Sequence, residues 1–430
     1  MEQIREQLTP ILRRYGMLPE DVDLITMTNL FLGQMRIGFY GGASSIPMRP
    51  TYLTPSGSWA LQEPVAVAEV NEREIRTALV TFTEQGPEVT LGECFPVPGV
   101  EYPAPFEDLI FAVVTLLEPL LEKSRHIALC LPFPLEQSEE GDATILKFPS
   151  SMRISDWEGT RICALLSDEL NSRGITDKHI LPVNTVSAVL LSGKAMHPKG
   201  NRYLSLTWGN GVNSCISIPK SAILKLKSGE NQLMLLDCGS GGLTGVPFSG
   251  IDLIMDRDSQ FPGKDLLDKM VSIESLGELY RFTMIKAVEA GLLTFMCGRE
   301  FLSLQKLSLS SVEAFLSEPD GDNLLANFCC KDEKDQTVAL SIARAVLARA
   351  ARLVSANLAA ILLLTGAGQS KESPALVSLS GEAFTYPMLN AILQETVDDF
   401  ITGTLQLHCQ LHYAPNSVLT GGAIAALLNP

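Results

Sequence analysis

VAVAEVNEREIRTALVTF, residues 65–82, holds two apolar runs on either side of a short charged centre. Apolar runs of this length, rich in Val, Ile and Thr, are typical of β-strands, so the stretch predicts a strand pair. Tight hairpins usually turn through glycine, but this turn reads Asn71-Glu72-Arg73-Glu74 and contains none. The charged turn raises the question of what the hairpin holds.

The composition indicates a protein with two ordinary domains and an acidic surface. The chain has 430 residues, 46% of them hydrophobic and 19% charged, which is enough for two substantial cores. The formal net charge is −16 and the isoelectric point is about 4.8. This balance argues against nucleic acid and anionic membranes as partners, because both select basic patches.

The cysteines and the N-terminus favour a cytoplasmic protein. Nine cysteines are scattered without the spacing of a disulfide framework or of a zinc site, so no metal is expected. The opening MEQIREQLTPILRRYG is charged from its second residue and predicts an amphipathic helix rather than a signal peptide. The longest apolar stretch, LAAILLLTGAG, is too short to span a bilayer. The oligomeric state is left open.

Strand and helix patterns are mixed in both halves of the chain, which predicts an α/β fold with two lobes. Helices are expected at residues 1–40, 106–123, 155–174, 185–195, 262–297, 309–329, 334–365 and 421–428. Strands are expected at residues 65–90, 126–137, 179–184, 203–218, 231–242 and 375–384. The helix at 155–174 is expected to begin at Ser155, with Glu158 completing a capping box and Gly174 as the stop.

Several glycine turns have the composition of phosphate-binding loops: WGNGVN, CGSGGLTG, LTGAGQ and VLTGGAIAAL. Backbone N–H groups in a tight turn bind anions, although each such turn by itself is more often only a turn. No glycine run ends in Gly-Lys-Ser/Thr, which excludes a P-loop. CGSGGLTG also lacks the spacing and the acidic partner of a dinucleotide-binding fingerprint.

The order of these segments resembles the hexokinase family nearly from end to end. SSIPMRPTYLTPSG, residues 44–57, is similar to the family's Met-x-Pro-Thr-Tyr segment. PGKDLLDKMVSIESLGELYR, residues 262–281, is similar to its Pro-Gly-x-x-x-x-Glu-Lys-Met-x-Ser-Gly-x-Tyr-x-Gly-Glu-x-x-Arg helix. Taken alone, the acids in this segment would indicate only a solvated helix face. Several independent motifs in the right order make the resemblance specific.

The resemblance implies a two-lobed, actin-like (ribonuclease H-like) α/β fold with a cleft between the lobes. The expected small lobe is residues 61–199, and the expected large lobe is residues 1–60 and 200–430. The C-terminal helix is a candidate to join the small lobe. The implied chemistry is transfer of the ATP γ-phosphate to a hexose 6-hydroxyl, with Mg²⁺ and with an Asp as general base.

The nucleotide-binding residues implied by the resemblance are only partly retained. The family's Asp-Leu-Gly-Gly-Thr-Asn-Phe-Arg falls on residues 69–76, where both glycines are absent and carboxylates stand near the expected phosphates. Carboxylates repel ATP unless they point away or bind the metal. The implied nucleotide contacts are Glu69, Asn71, Glu72, Arg76, Gly209, Asn210, Gly211, Gly381, Gly421 and Gly422.

The catalytic and sugar positions are also altered. The family's base falls on Thr185, and a threonine hydroxyl is not a base near neutral pH. Asp237 and Glu69 are possible substitutes. The implied sugar contacts are Ser150, Asn184, Asn213, Gly239 and Asp268. Asn184 and Asn213 match the family, whereas Ser150 replaces a lysine, Gly239 replaces a glutamate, and Asp268 is one methylene shorter than the family's glutamate.

Residues that serve the fold match the family better than residues that serve the chemistry, which indicates a changed function. The favoured hypothesis is a hexokinase homologue that is catalytically impaired or inactive and acts by binding a sugar or another small molecule. A second hypothesis is an active but atypical ATP:sugar phosphotransferase. A third is a structural or interaction protein with no ligand in the cleft.

Overall fold

A computed structural model of the chain describes residues 2–149, 151–197, 203–259, 261–329 and 332–429. The strands are β1 Arg49–Pro50, β2 Val65–Val70, β3 Glu74–Thr83, β4 Gly86–Pro96, β5 Ala104–Pro105, β6 His126–Leu131, β7 Leu135–Gln137, β8 Ala143–Ile145, β9 Ile154–Ser155, β10 His179–Asn184, β11 Tyr203–Trp208, β12 Val212–Pro219, β13 Leu233–Asp237, β14 Ala375–Ser380 and β15 Cys409–Tyr413. The helices are α1 Glu2–Arg14, α2 Leu24–Phe39, α3 Phe106–Leu121, α4 Ile162–Ser172, α5 Thr185–Met196, α6 Gly250–Arg257, α7 Leu266–Val271, α8 Ile273–Glu289, α9 Phe295–Ser303, α10 Leu309–Ser317, α11 Leu324–Cys329, α12 Glu333–Thr365, α13 Pro387–Thr396 and α14 Ser417–Leu428. A π-helical segment, Val397–Thr404, follows α13.

Two mixed sheets with the same topology form the framework. The first has five strands in the order β10-β6-β2-β3-β4, and the second has six in the order β1-β13-β12-β11-β14-β15. In each sheet a long antiparallel meander continues into parallel strands: β4-β3-β2 continues into β6 and β10, and β13-β12-β11 continues into β14 and β15. The carboxyl ends of the parallel strands lie at one edge of each sheet. In α/β folds, binding residues are usually found at this edge.

The five-stranded sheet is covered on both faces. Every residue of β2 and β6 is buried. Helix α3 packs on one face and α14 on the other. A strand that is buried on both faces has no polar side to alternate with, which explains the continuous apolar run Val65–Ala68.

The core beside the six-stranded sheet is built around α12, which contacts α2, α8 and α13. Among the described helices, α12 is the one with the length and mean hydropathy, 1.6, of a membrane span. However, 83% of its apolar window is buried inside the molecule, as in the central helix of a core.

Helices α5 and α14 pack against each other between the two sheets. Helix α5 contacts β11 and β14 of the six-stranded sheet, and α14 contacts β2 and β6 of the five-stranded sheet. A Cβ on Gly421 would lie 1.7 Å from the Ala188 carbonyl oxygen, and a Cβ on Gly422 would lie 2.4 Å from Cys130 Sγ. The two glycines therefore let α14 approach α5 and β6 closely. Their burial in this packing accounts for the Gly-Gly pair without a ligand.

The predicted start of α4 is wrong. The helix begins at Ile162 after the N-cap residue Arg161, and Ser155 lies in β9. The first turn of α4 is satisfied from a distance in sequence, because Asp142 Oδ1 accepts a hydrogen bond from the Cys163 N–H at 2.8 Å. A capping pattern within the local sequence could not reveal this partner.

The predicted helical segment 262–297 is divided. Ser272 ends α7 and serves as the N-cap of α8, where its side chain accepts a hydrogen bond from Ser275 N–H. Strand β15 and helix α13 were not predicted. Residues of β15 are half-buried or exposed, as expected of an edge strand, so its sequence lacks a clear apolar alternation.

We expect Gly421→Ala to destabilise the protein by about 3 kcal/mol, because the new methyl group overpacks the α5–α14 contact. Gly33→Ala is the matched control. Gly33 is exposed within α2, and a Cβ there meets no atom within 4 Å, so the alanine should be neutral or add up to about 1 kcal/mol. Urea unfolding followed by circular dichroism measures both, and equal stabilities of the two variants would contradict the packing role.

Candidate functional site

The candidate site lies where the turn of the β2–β3 hairpin faces the turn of the β11–β12 hairpin. Asn210, in the second turn, donates a hydrogen bond through Nδ2 to Glu72 Oε2 in the first turn, at 2.5 Å. The next residue, Gly211, contacts Asp268, and Gly241 contacts the same carboxylate from the other side. These contacts place Glu72 on one side of a cleft, and Asn210, Gly211 and Asp268 on the other side.

The β2–β3 hairpin closes without glycine because the Asn71 side chain takes part in the turn. Asn71 Oδ1 accepts hydrogen bonds from the N–H groups of Arg73 and Glu74, both at 2.8 Å. The Asn71 N–H donates to the Glu74 carbonyl at 3.0 Å. This is the local side-chain turn that Asn forms readily. Asn71 therefore serves the turn itself, and the turn presents Glu72 to the cleft.

Glu69 and Arg76 form a cross-strand ion pair at the base of the hairpin. Arg76 Nη2 donates to Glu69 Oε2 at 2.6 Å, and the two residues are register partners in β2 and β3. Glu69 is only 8% exposed, and burial raises the pKa of its carboxyl group, although Arg76 opposes the shift. Both residues of the predicted nucleotide site thus bind each other.

Polar contacts bridge the cleft at three points. Besides the Glu72–Asn210 hydrogen bond, Arg73 Nη2 lies 4.0 Å from Glu382 Oε2, and Lys147 forms an ion pair with Asp265. Burial raises the pKa of Glu72, the hydrogen bond from Asn210 opposes the shift, and the charges of Glu274 and Glu382 add to it. The side of the cleft that presents Glu72 is therefore crowded with carboxylates.

Asn184 and Thr185 lie at the junction of β10 and α5. Asn184 is the N-cap of α5: its Oδ1 accepts from the Val186 N–H at 2.9 Å, and its Nδ2 donates to the Phe133 carbonyl at 2.8 Å. The Thr185 hydroxyl has no hydrogen-bond partner among the described residues. The predicted helix start after Asn184 is confirmed, and the Asn184 side chain is fully engaged in capping.

Asn213 organises the end of β13. Its Oδ1 accepts from the N–H groups of Ser214, Gly239 and Ser240 at 2.8–3.1 Å, and its Nδ2 donates to Asp237 Oδ1 at 2.8 Å. Asp237 Oδ1 also accepts from the Gly239 N–H at 3.0 Å. Asp237 is 3% exposed, so its position is set by this network.

Arg49 occupies the space beside Gly239. Gly239 has a left-handed backbone, with φ at 68°, and a Cβ there would lie 2.7 Å from Arg49 Nη1 and 3.0 Å from Pro47. Arg49 Nη1 also lies 3.8 Å from Asp237 Oδ2. A side chain at position 239 would collide with the Arg49 guanidinium, which fills the space that such a side chain would need.

Asp268 is held between two glycines. A Cβ on Gly211 or on Gly241 would lie 2.6 Å or less from Asp268 Oδ1. The same oxygen accepts a hydrogen bond from the Val212 N–H at 3.0 Å. Burial raises the pKa of Asp268 to about 7, and the charges of Asp265 and Glu72 act in the same direction. The Asp268 carboxyl group therefore titrates near neutral pH.

Gly209 closes the β11–β12 turn, and Gly381 allows a close backbone approach to Trp208. The Gly209 N–H donates to the Gly211 carbonyl at 3.0 Å, which closes the β11–β12 turn. Gly381 has a φ of 118°, and a Cβ there would lie 2.1 Å from the Trp208 carbonyl oxygen. Ser150 lies outside the described residues.

The structure distributes the predicted residues over several places. Glu72 meets Asn210 across the cleft, Gly211 and Asp268 lie beside Asn210, and the end of β13 holds Asn213, Asp237 and Gly239. The other described residues lie in the β2–β3 hairpin (Glu69, Asn71 and Arg76), at the start of α5 (Asn184 and Thr185) and beside Trp208 (Gly209 and Gly381). Gly421 and Gly422 lie instead within α14 and are buried.

Comparison with known proteins gives the family. A family model described as Hexokinase matches residues 203–428, which is more than half of the chain. The chain belongs to the hexokinase family.

Curated hexokinases are distant relatives of this chain. Hexokinase-1 of Mus musculus is 25% identical over 374 residues, which cover 81% of this chain and 38% of the mouse protein. Hexokinase-1 of Homo sapiens is 28% identical over 256 residues, which cover 56% of this chain and 27% of the human protein. The chain therefore spans less than half the length of these relatives.

Solved hexokinase structures share the whole fold. A hexokinase from Schistosoma mansoni complexed with glucose has a TM-score of 0.77 at 20% identity, covering 99% of this chain and 100% of that chain. A second hexokinase crystal structure has a TM-score of 0.79 at 14% identity, with 100% of both chains covered. The predicted two-lobed, actin-like α/β hexokinase fold is confirmed.

Sequence reasoning missed Arg49 and Lys147. Arg49 lies in a segment that was recognised only for its Pro-Thr-Tyr motif, and its side chain reaches Gly239 because β1 pairs with β13. Lys147 meets Asp265 across 118 positions of sequence. Neither contact has a local sequence signal. Only a predicted pairing of β1 with β13 would have shown that Arg49 lies beside position 239.

We expect the raised pKa of Asp268 to make the hexokinase-family chain less stable as the pH rises. The native pKa, about 7, lies above the ordinary value of 3.8, so native Asp268 binds its proton more tightly than the unfolded chain does. The resulting penalty is absent below pH 3.8, grows as the pH rises, and is complete above pH 7. Relative to Asp268→Asn, the wild type should lose on the order of 2 kcal/mol between pH 5 and pH 8. Denaturant unfolding at both pH values measures this, and parallel pH profiles would contradict it.

We expect Glu72→Gln to strengthen nucleotide binding about tenfold or more. The Glu72 carboxylate lies against Asn210 of the β11–β12 turn, and its negative charge repels the phosphate groups of a nucleotide. Glu84→Gln is the matched control, since Glu84 is exposed at the opposite end of β3. Titration of a fluorescent ATP analogue at low salt gives both dissociation constants. Equal affinities for the two variants would show that Glu72 does not guard the cleft.

Proposed function

We propose that this hexokinase-family chain is catalytically impaired or inactive as a sugar kinase, and that it acts by binding a sugar or a related small molecule in the cleft. The observation that carries the proposal is Thr185 at the position of the family's base. A threonine hydroxyl does not accept a proton near neutral pH, and loss of a general base typically lowers the rate about 10²- to 10⁴-fold.

The nucleotide end of the cleft supports the proposal. The Glu72 carboxylate already bonds Asn210 in the glycine turn, and Glu274 and Glu382 are near enough to raise its pKa. These residues do not fit Mg·ATP in the ordinary arrangement. ATP and Mg²⁺ accordingly belong only to the alternative function below.

A sugar is the ligand class that the relatives favour. The Schistosoma mansoni structure holds glucose. A glucokinase from Streptomyces griseus, with a TM-score of 0.50, 14% identity, and 84% of this chain and 99% of that chain covered, holds glucose and AMPPNP. In the present chain, Asn213, Asp237 and Asp268 retain donors and acceptors suited to a polyol. We extend the proposal to a cytoplasmic location and a role related to sugar metabolism.

The division of the chain is also part of the proposal. The five-stranded sheet lies within the proposed small lobe, residues 61–199, and the six-stranded sheet lies within residues 1–60 and 200–430. The packing of α14 on β2 and β6 supports assigning that helix to the small lobe.

An active but atypical kinase is the second candidate. Asp237 lies at the carboxyl end of β13, and its Oδ2 accepts no hydrogen bond from a described residue, which leaves one oxygen able to accept a proton. Glu69 is less suited to this role, because Arg76 holds its carboxylate.

An ADP-release assay with Mg·ATP and a panel of hexoses distinguishes the two functions. The wild type should show no turnover, while sugars should raise its melting temperature by mass action. Thr185→Asp should regain measurable turnover if the base is the main defect. Asp237→Asn is the companion variant: if the wild type turns over at about 1–100 per second and Asp237→Asn abolishes this, the atypical kinase is correct.

The variant that restores a carboxylate at position 239 needs a second change. Gly239→Glu alone would place its Cβ against Arg49 Nη1 in a left-handed backbone, so loss of stability is expected. Arg49→Leu combined with Gly239→Glu removes the collision with the guanidinium, but the left-handed backbone and the 3.0 Å contact with Pro47 remain, so its melting temperature serves as the folding control for the assay.

A further inference from the structure

Arg49 carries a guanidinium group that forms an ion pair with Asp237 but no hydrogen bond with a described residue. It lies in β1, directly opposite Asp237 in β13. Its Nη1 occupies the space that a side chain at Gly239 would enter, as the 2.7 Å distance to a Cβ shows. The Arg49 side chain is 26% exposed and donates no hydrogen bond to any residue in the described ranges. Its N–H donors are therefore open to the cleft.

Asp237 provides a free acceptor beside this donor group. Its Oδ1 is engaged by Asn213 Nδ2 and by the Gly239 N–H, whereas Oδ2 accepts no hydrogen bond within the described part of the chain. Arg49 Nη1 lies 3.8 Å from Oδ2, which is an ion pair too long for a hydrogen bond. The pair thus leaves a gap with donors on one side and an anionic acceptor on the other.

A second cation strengthens the positive side of the gap. Lys225 donates to the carbonyl oxygens of Pro47 and Met48, at 2.8 and 2.6 Å. Pro47 is also the residue that approaches Gly239. Burial and the charge of Arg49 both lower the pKa of Lys225, which shows that the two cations lie close together.

The ligand group that matches this arrangement carries a carboxylate next to a hydroxyl. Guanidinium binds carboxylate through two parallel N–H···O bonds, and such charge-assisted bonds are the strong ones. A hydroxyl on the adjacent carbon is then placed to donate to Asp237 Oδ2. A neutral hexose supplies the hydroxyl but no anion for Arg49, so it leaves the guanidinium without a strong acceptor.

We propose that the cleft selects a sugar acid of the 2-hydroxy type, such as an open-chain hexonate. Its carboxylate binds Arg49 and its 2-hydroxyl donates to Asp237 Oδ2. The inference rests on the proposed function, because it names the ligand class of the same cleft.

D-Gluconate and D-sorbitol are the probes that test the inference. The two chains carry the same hydroxyls from C2 to C6 and differ only in a carboxylate or a CH₂OH group at C1. D-Glucose is the cyclic neutral probe, and sodium chloride equalises the ionic strength. Calorimetry and thermal melting are measured on the wild type, Arg49→Gln, Arg49→Lys and the control Arg257→Gln. Arg257 is an exposed arginine paired with Asp258, so the control removes the same charge elsewhere.

The wild type and Arg257→Gln should bind gluconate about tenfold or more tightly than sorbitol, as expected of hydrogen bonds to a charged group. Arg49→Gln should lose this preference, and Arg49→Lys should keep only part of it because the fork is lost. Melting temperatures without ligand report folding. If Arg49→Gln does not fold, a full gluconate preference in Arg49→Lys overturns the bidentate contact.

The other outcomes separate this inference from the proposed function. Equal binding of gluconate and sorbitol, or a gluconate preference that survives Arg49→Gln, overturns the sugar-acid site and leaves sugar binding in place. Hexose phosphorylation by the wild type overturns the proposed function and leaves the gluconate preference to be judged by the Arg49 variants. If no probe binds, the sugar-acid site and sugar binding in the cleft are both wrong.

Discussion

The contact between α5 and α14 is the constraint on which the rest of the structure depends. Helix α5 packs on the six-stranded sheet, helix α14 packs on the five-stranded sheet, and the two helices pack against each other. Gly421 and Gly422 allow the close contacts of α14. A Cβ at Gly421 would push α14 away from α5, and a Cβ at Gly422 would push α14 away from β6. Because α5 begins directly at the carboxyl end of β10, the helix pair fixes the position of Asn184 and Thr185. The glycine pair therefore acts on the site through packing.

The cleft satisfies much of its own charge. Glu69 binds Arg76, Glu72 binds Asn210, Lys147 binds Asp265, and Asn213 holds Asp237. Buried carboxylates are costly unless they are paired, so these partners stabilise the site. Among the described side chains of the site, the Thr185 hydroxyl, Arg76 Nε and Asn210 Oδ1 have no hydrogen-bond partner, and Arg49 forms an ion pair with Asp237 but no hydrogen bond.

The accuracy of sequence-based prediction differed between local and long-range features. The β2–β3 strand pair and the helix start after Asn184 were predictable, because each depends on neighbours in the chain. The start of α4 was mispredicted, since its first turn is capped by Asp142 from another segment. Edge strand β15 was not predicted, because one-sided exposure weakens the apolar pattern. Local patterns succeeded where the stabilising partner lies within a few residues.

The sequence by itself determined the fold class and the family, because these depend on residue types in a fixed order. It also placed a charged, glycine-free turn at the end of β2. Only the tertiary structure decided how that turn closes, which carboxylates are paired, and where Arg49 projects. Those features join residues separated by up to 190 positions, such as Arg49 and Gly239. Their interaction energies depend on distance and burial, and strand pairing sets both.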